Sequence, residues 1–350
     1  MELKNLKLKI IIFCLSGIGN TILFTPALRI LRKNLPKAEI TLLVKEKSYA
    51  ECVIGSKFVD KIVIFSGRIF DKLNLIRKLR KDKYDISITA FPSNRFEFNL
   101  FAYLIGAKRR ITHRYKIGNK LAWLQKEFVN ANEKLHDVEN NLNLIECLGI
   151  NTEKEKRELI FETSSDDEKY ALDFIKRNGL SKLALIGIHP GTSKKAIYRR
   201  WPEGNFSRLI DQILAKYIGS KVLLFEGPDE RGLAIGILRN AHDKDRIVIV
   251  KDNSLKENAA IIWHCMLFIS TDSGLGHIAA AKNVPVIAIF GPANPNRTKP
   301  FGRKVAVIQK NPHLIKYPFY STSPEPKGDY KESLEKITVE DVMDEIDKYL

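Results

Sequence analysis

No stretch of this 350-residue sequence reaches the ~20 consecutive apolar residues needed to span a bilayer. The longest apolar runs, Ile10 to Leu15 and Val284 to Phe290, have the length of buried strands. Lysines precede Ile10, but the run after them is too short for a signal peptide and no small-residue cleavage site follows. The four cysteines (Cys14, Cys52, Cys147 and Cys265) are scattered and form no CxxC pair. This argues against a disulfide framework or a zinc site and for reduced thiols in a cytoplasmic protein. There is no Asp-x-Asp placed after a strand, so no metal site is expected. Repeats, low-complexity tracts, zinc-finger spacings and aromatic stacking motifs of RNA-binding type are also missing, which speaks against a nucleic-acid partner.

What remains is an ordinary globular composition, 44% hydrophobic and 28% charged, and enough length for two domains. Charge is unevenly placed. The net balance is +17, yet residues 1–135 hold 27 Lys/Arg against 11 Asp/Glu, and the other residues hold 31 against 30. A field of this sign favours an anionic partner such as a phospholipid head group or a phosphorylated glycan. A lysine-rich, solvated surface is the plain alternative.

Apolar runs alternate with amphipathic stretches. Residues 8–15, 39–44, 61–65 and 84–90 read as strands, with helices at 22–33, 71–81, 96–105 and 135–148. Residues 151–180 are charged and weakly apolar, and mark a junction. The pattern then restarts, with strands at 183–188, 221–225, 246–250, 266–270 and 284–290 and helices between them. Buried strands joined by helical segments indicate parallel βαβ units. The expectation is an α/β protein with two doubly wound, Rossmann-like parallel sheets facing a cleft, with ligands at the carboxyl ends of the strands. Thr338 is a fitting N-cap for a last helix bearing Val339, Val342, Ile346 and Leu350 at helical spacing.

Several loops at those strand ends suit phosphate. Ser16-Gly17-Ile18-Gly19-Asn20 follows the first strand; it is not GxGxxG, because Ile22 stands at the third glycine position, and alone it is equally a plain turn. His189-Pro190-Gly191-Thr192-Ser193 follows the first strand of the second domain and can aim N–H groups and hydroxyls at a phosphate. Arg199-Arg200-Trp201-Pro202 comes next; an arginine there suits a diphosphate, or the loop is surface with a packed tryptophan. Gly227-Pro228-Asp229-Glu230-Arg231 places carboxylates near a ribose, or caps a helix. Ser270-Thr271-Asp272-Ser273-Gly274-Leu275-Gly276-His277 joins a buried strand to an alanine-rich helix, an arrangement that binds anions. His277 reads as a ligand contact or as a packed core histidine.

Taken together, these elements resemble glycosyltransferase family 9, whose best-known members are ADP-heptose:lipopolysaccharide heptosyltransferases. The matching stretches are GIGNTILFTPALRILRK from Gly17, HPGTS, RRWP, GPDER, and STDSGLGHIAAAKNVPVIAIFGPANP from Ser270. The resemblance implies a GT-B fold, with residues 1–165 binding the acceptor, residues 166–337 binding the nucleotide-sugar donor, and residues 338–350 forming a helix packed back on the first domain. It implies donor contacts from Gly17, Gly19, Gly191, Thr192, Ser193, Arg199, Glu230, Asp272, Ser273, Gly274 and His277, with Asp272 and His277 closest to the chemistry. It implies no cofactor beyond the donor itself and no metal.

The family pattern Gly-x-Gly-Asp puts a candidate general base where this chain has Asn20. An amide accepts no proton from an acceptor hydroxyl, and losing a general base typically costs ~10²–10⁴-fold in rate. Three expectations follow: another base, an acceptor phosphate acting as base, or a sugar-nucleotide-binding protein that is weak or inactive. The favoured reading is an inverting, metal-independent transfer from a nucleoside-diphosphate sugar to a lipopolysaccharide-core or related glycan acceptor. The protein would lie on the inner face of the cytoplasmic membrane through its basic first domain. A nicotinamide-dependent oxidoreductase is the lesser alternative.

Overall fold

The computed structural model describes residues 7–66, 68–92, 95–115, 121–310 and 330–350. These fall into two compact units, one running to Glu162 and one from Thr163 onward. The junction lies a few residues before the expected 165/166. The charged segment after it opens a helix: Ser164 Oγ accepts from Asp167 N–H at 3.2 Å, and Asp167 accepts in return from Ser164 N–H at 2.8 Å.

The first unit holds strands β1 (Lys9–Cys14), β2 (Glu39–Val44), β3 (Lys61–Ile64), β4 (Ile86–Thr89), β5 (Arg109–Arg114) and β6 (Glu127–Asn130). Between and after them lie α1 (Ile18–Asn34), α2 (Lys47–Glu51), α3 (Ile69–Lys81), α4 (Phe96–Ile105) and α5 (Asp137–Glu146). The sheet runs β3-β2-β1-β4-β5-β6, every pair parallel. Parallel neighbours need crossover helices, which cover both faces, so the central strand must be apolar throughout. Ile10, Ile11, Ile12, Phe13 and Cys14 of β1 are accordingly all buried.

The second unit repeats the plan. Its strands are β7 (Ala184–His189), β8 (Ser220–Glu226), β9 (Ile247–Lys251), β10 (Leu267–Thr271), β11 (Val286–Ile289) and β12 (Val305–Ile308). Its helices are α6 (Ser165–Arg177), α7 (Glu203–Lys216), α8 (Leu233–Asn240), α9 (Leu255–Ile262), α10 (Gly274–Ala281), α11 (Pro295–Thr298), α12 (Tyr330–Glu335) and α13 (Val339–Ile346). The order β12-β11-β10-β7-β8-β9 is that of the first sheet when strands are counted within the unit. In each sheet the winding reverses beside the first strand, between β1 and β4 and between β7 and β10, where a doubly wound sheet opens a crevice for ligands. Strands β5, β6 and β12 go beyond those expected from the sequence.

One expectation is corrected. Helix α13 packs into the core of the second unit rather than back on the first. Val339, Val342 and Ile346 share a buried cluster with Trp201, Phe206, Ile210 and Ile289. Trp201 Nε1–H donates to Ile337 O at 3.0 Å, and its ring meets Phe206 edge-on at 5.0 Å. Burying a side chain of this size contributes about 1.5–3 kcal/mol, so three on one helix face hold α13 firmly.

Candidate active site

Most of the phosphate-suited loops meet at the reversal point of the second sheet. His189 ends β7 and pairs in register with Ser270 of β10, so the residues after each strand emerge side by side. His189 Nδ1 lies 2.8 Å from Ser273 Oγ, and its Nε2 lies 2.7 Å from Glu230 Oε1. Glu230 sits on a single turn, Pro228–Glu230, after β8. Three adjacent strand ends are thereby linked through one imidazole. Burial pushes the Glu230 carboxyl up, but the His189 hydrogen bond and the Gly227 N–H outweigh it and leave the group below the usual carboxylate range. As a carboxylate, Glu230 accepts a hydrogen bond from His189 Nε2–H, which leaves Nδ1 facing the Ser273 hydroxyl.

Ser273 is also the N-cap of α10, yet its side chain makes no capping hydrogen bond. The hydroxyl goes to His189 instead, leaving the first N–H groups of α10, from Gly274 on, available to an anion. Asp272, immediately before, is buried and accepts from Arg199 Nη1 at 2.8 Å. Burial raises its pKa, with Arg199 and Arg297 pulling the other way without cancelling it. A guanidinium is planar and forked, the geometry that pairs with carboxylate and phosphate alike.

His277, one turn into α10, is 5% exposed, and its Nδ1 has no hydrogen-bond partner. Burial alone lowers its pKa to about 4. It is therefore neutral near pH 7 and can offer a hydrogen bond. The loop 191–193 is held from within. Thr192 is buried; its Oγ1 donates to Ala196 O at 2.8 Å and accepts from Arg200 Nε at 3.2 Å. Arg200 Nη2 donates to Thr192 O at 2.7 Å. The Thr192 hydroxyl is thus spent inside the loop, while Ser193 stays exposed. At Gly191 a Cβ would fall 2.4 Å from the Glu230 carboxyl carbon, so only glycine fits against the His189–Glu230 pair.

In the first unit, Gly17 caps α1 at φ 138°, a conformation that L side chains rarely adopt. Gly19 lies in the first turn of α1, and Asn20 Nδ2 donates back to Ser16 O at 3.1 Å. The amide at the position of the family aspartate is thus tied to its own loop. His189, Arg200 and Arg297 are the residues that sequence reasoning did not single out.

Among the described residues no group of three His, Cys, Asp or Glu is arranged to hold a metal, and no helix is long and apolar enough to cross a membrane. The sequence model of glycosyltransferase family 9 (heptosyltransferase) matches residues 72–323. Lipopolysaccharide heptosyltransferase 3 of Escherichia coli K12 is 29% identical over 290 residues, covering 78% of this chain and 79% of that protein. A family 9 glycosyl transferase from Veillonella parvula shares the fold with a TM-score of 0.80 at 23% identity, over 100% of this chain and 98% of its own. The iron-containing dodecameric glycosyltransferase TibC from enterotoxigenic E. coli superposes with a TM-score of 0.59 at 14% identity, over 100% of this chain and 77% of its own. The two doubly wound units are those of a GT-B-type α/β fold, and the chain, matched over most of its length, belongs to glycosyltransferase family 9.

Proposed function

We propose that this glycosyltransferase moves a heptose from ADP-heptose to a lipopolysaccharide-core or related surface-glycan acceptor, in one inverting displacement without a metal. The observation that carries the reading is the junction of β10 and α10. There an uncapped helix N-terminus, the Arg199–Asp272 pair and neutral His277 belong to one strand–helix junction, a set of groups suited to a departing diphosphate. Arg199 and the N–H groups from Gly274 neutralise charge on the leaving nucleoside diphosphate; His277 donates a hydrogen bond; Glu230, on its turn after β8, stands at the nucleoside position. Gly17 and Gly19 let the acceptor approach the backbone of the first loop, and Asn20 orients it. The relatives reported above are named as transferases, and nothing favours the alternative of an inactive sugar-nucleotide binder. The base is then another group or the acceptor's own phosphate.

TibC is described as iron-containing, so freedom from metal is itself to be tested. The acceptor reading also carries a location. The positive excess of residues 1–135 suits a phosphorylated, lipid-linked acceptor on the inner face of the cytoplasmic membrane, with the protein held there peripherally.

The experiment is calorimetric titration with ADP, UDP, GDP and CDP in excess EDTA, followed by turnover of ADP-heptose. Preference for ADP with undiminished turnover is expected. Preference for another nucleotide removes the heptose donor, and activity lost in EDTA but restored by a divalent cation or iron removes the metal-free mechanism.

A further inference from the structure

The outer face of the first unit exposes large apolar side chains where a soluble surface would hide them. Phe70 is 75% exposed and Trp123 76% exposed, with Leu73, Phe96 and Tyr103 also in solvent. They belong to neighbouring elements. The inner sides of α3 and α4 enter one core cluster, through Ile76 and Leu79 on one helix and Phe98, Ala102 and Ile105 on the other. Arg80 Nη1 on α3 donates to Leu104 O on α4 at 3.0 Å. The turn Ala122–Leu124, which carries Trp123, packs on α4.

Helical spacing decides what the outer sides carry. Phe70, Leu73, Arg77 and Lys81 recur at i, i+3, i+7 and i+11 on α3, so two apolar residues lead and two cations follow along one stripe. Phe96 and Tyr103 recur at i and i+7 on α4, and the Arg110 guanidinium lies 5.5 Å over the Tyr103 ring. Asp71 is the single carboxylate in α3 against Lys72, Arg77, Lys78, Arg80 and Lys81. Helices α1, α3 and α4 each follow a strand of the parallel sheet, so all three begin at its carboxyl edge. Phe70 and Phe96 therefore stand on the same rim as the Gly17–Asn20 loop.

We infer that this face, formed by the outer stripes of α3 and α4 with Trp123, docks on an anionic lipid surface by inserting its aromatic side chains among the head groups. Aromatic and long basic side chains in alternation suit that interface: rings enter the head-group layer while Lys and Arg stems reach the phosphates. Charge complementarity alone would act from any side of the basic unit; the exposed rings pick out this one. Docked this way, the rim carrying the Gly17–Asn20 loop lies at the edge of the docked face, beside the bilayer. The inference rests on the reading that the acceptor is membrane-borne, and it adds which face makes the contact.

The test uses the full chain with Trp263→Phe, so that Trp123 is the exposed indole and Trp201, 1% exposed, is a constant background. Vesicles of phosphatidylcholine with about one-third phosphatidylglycerol should shift Trp123 emission to the blue, and pure phosphatidylcholine should not. In the chain with Trp263 intact, the triple variant Phe70→Ser/Phe96→Ser/Trp123→Ser should weaken sedimentation with the anionic vesicles at least about tenfold. Its ADP binding should be unchanged. Sedimentation with no emission shift, or a triple variant that sediments like wild type, overturns the assigned face while leaving membrane contact in place. No binding to anionic vesicles at low salt overturns both. Altered ADP binding in the variant marks a folding defect; the emission shift, read on the Trp263→Phe chain, then decides alone.

Discussion

His189 Nε2 and Glu230 Oε1 lie 2.7 Å apart, with side chains 6% and 5% exposed. Removing one partner of a buried pair leaves the other desolvated, which costs more than the pair contributes. His189→Ala should therefore lower stability by about 3–5 kcal/mol and disorder the Ser273 hydroxyl. Glu230→Gln keeps an acceptor for Nε2–H and should cost about 1–2 kcal/mol. Thermal unfolding of the two variants checks the order; equal losses would mean that the carboxylate charge, and not the hydrogen bond alone, carries the pair.

Arg199 holds Asp272, and in the proposed mechanism it also meets the donor diphosphate. Arg199→Ala should weaken ADP binding by roughly 10–100-fold, the range of a charge-assisted hydrogen bond lost to water. Arg199→Lys should recover part of this, because a single ammonium replaces a planar fork. Calorimetric affinities decide it. An Arg199→Ala chain that binds ADP like wild type would remove Arg199 from the donor site.

His277 makes stability depend on acidity. Burial depresses its pKa to about 4 from an ordinary 6.5, so the unfolded chain takes up the proton first as pH falls. The stabilisation is complete above about pH 6.5 and drains away between there and about pH 4, roughly 3 kcal/mol in all. His113, lowered by burial to about 3, adds in the same direction. His277→Gln should flatten the stability profile between about pH 6.5 and 4.5 relative to wild type. Parallel profiles would show that the imidazole is not held neutral.

Asn20 bears on catalysis differently. Its amide is turned back to Ser16 O, so a carboxylate put there loses a donor and gains a nearby carbonyl oxygen. Asn20→Asp should change kcat by less than about tenfold, below the usual worth of a general base. A larger gain would make the wild-type residue an attenuated catalyst and revive the weak-enzyme alternative.

The sheets were legible where strands are apolar on both faces, as in β1 and β10. Strand β5 was hidden by its own chemistry. Its RRITHR run mixes charge with buried polar residues, and Arg109 is satisfied by Glu127 on β6, through bonds of 2.7 Å from Nε and from Nη2, and by Cys147 O at 3.1 Å. No apolar run announces such a pair. The glycine-rich loops were readable because tight turns demand particular residues; the link through His189 was not, because Glu230 lies 41 positions away. Arg200 sits in a loop and Arg297 in the single turn of α11, neither with a periodicity to mark it. Helix α13 shows another limit: spacing identifies an apolar face, but nothing in a stripe of Val339, Val342 and Ile346 states which core it enters.

That packing also sets an order of events during synthesis. The described residues of the first unit end at Glu162, and domains fold as units as they emerge. The second cannot close on the same schedule. Its described strands are all made by Ile308, yet the indole of Trp201 has no acceptor until Ile337 arrives, and the hollow beside Phe206 and Ile289 has no filling until Val339, Val342 and Ile346 are translated. For the interval between, a nascent chain carries a finished basic unit beside an open apolar one, the period in which it depends most on protection from aggregation.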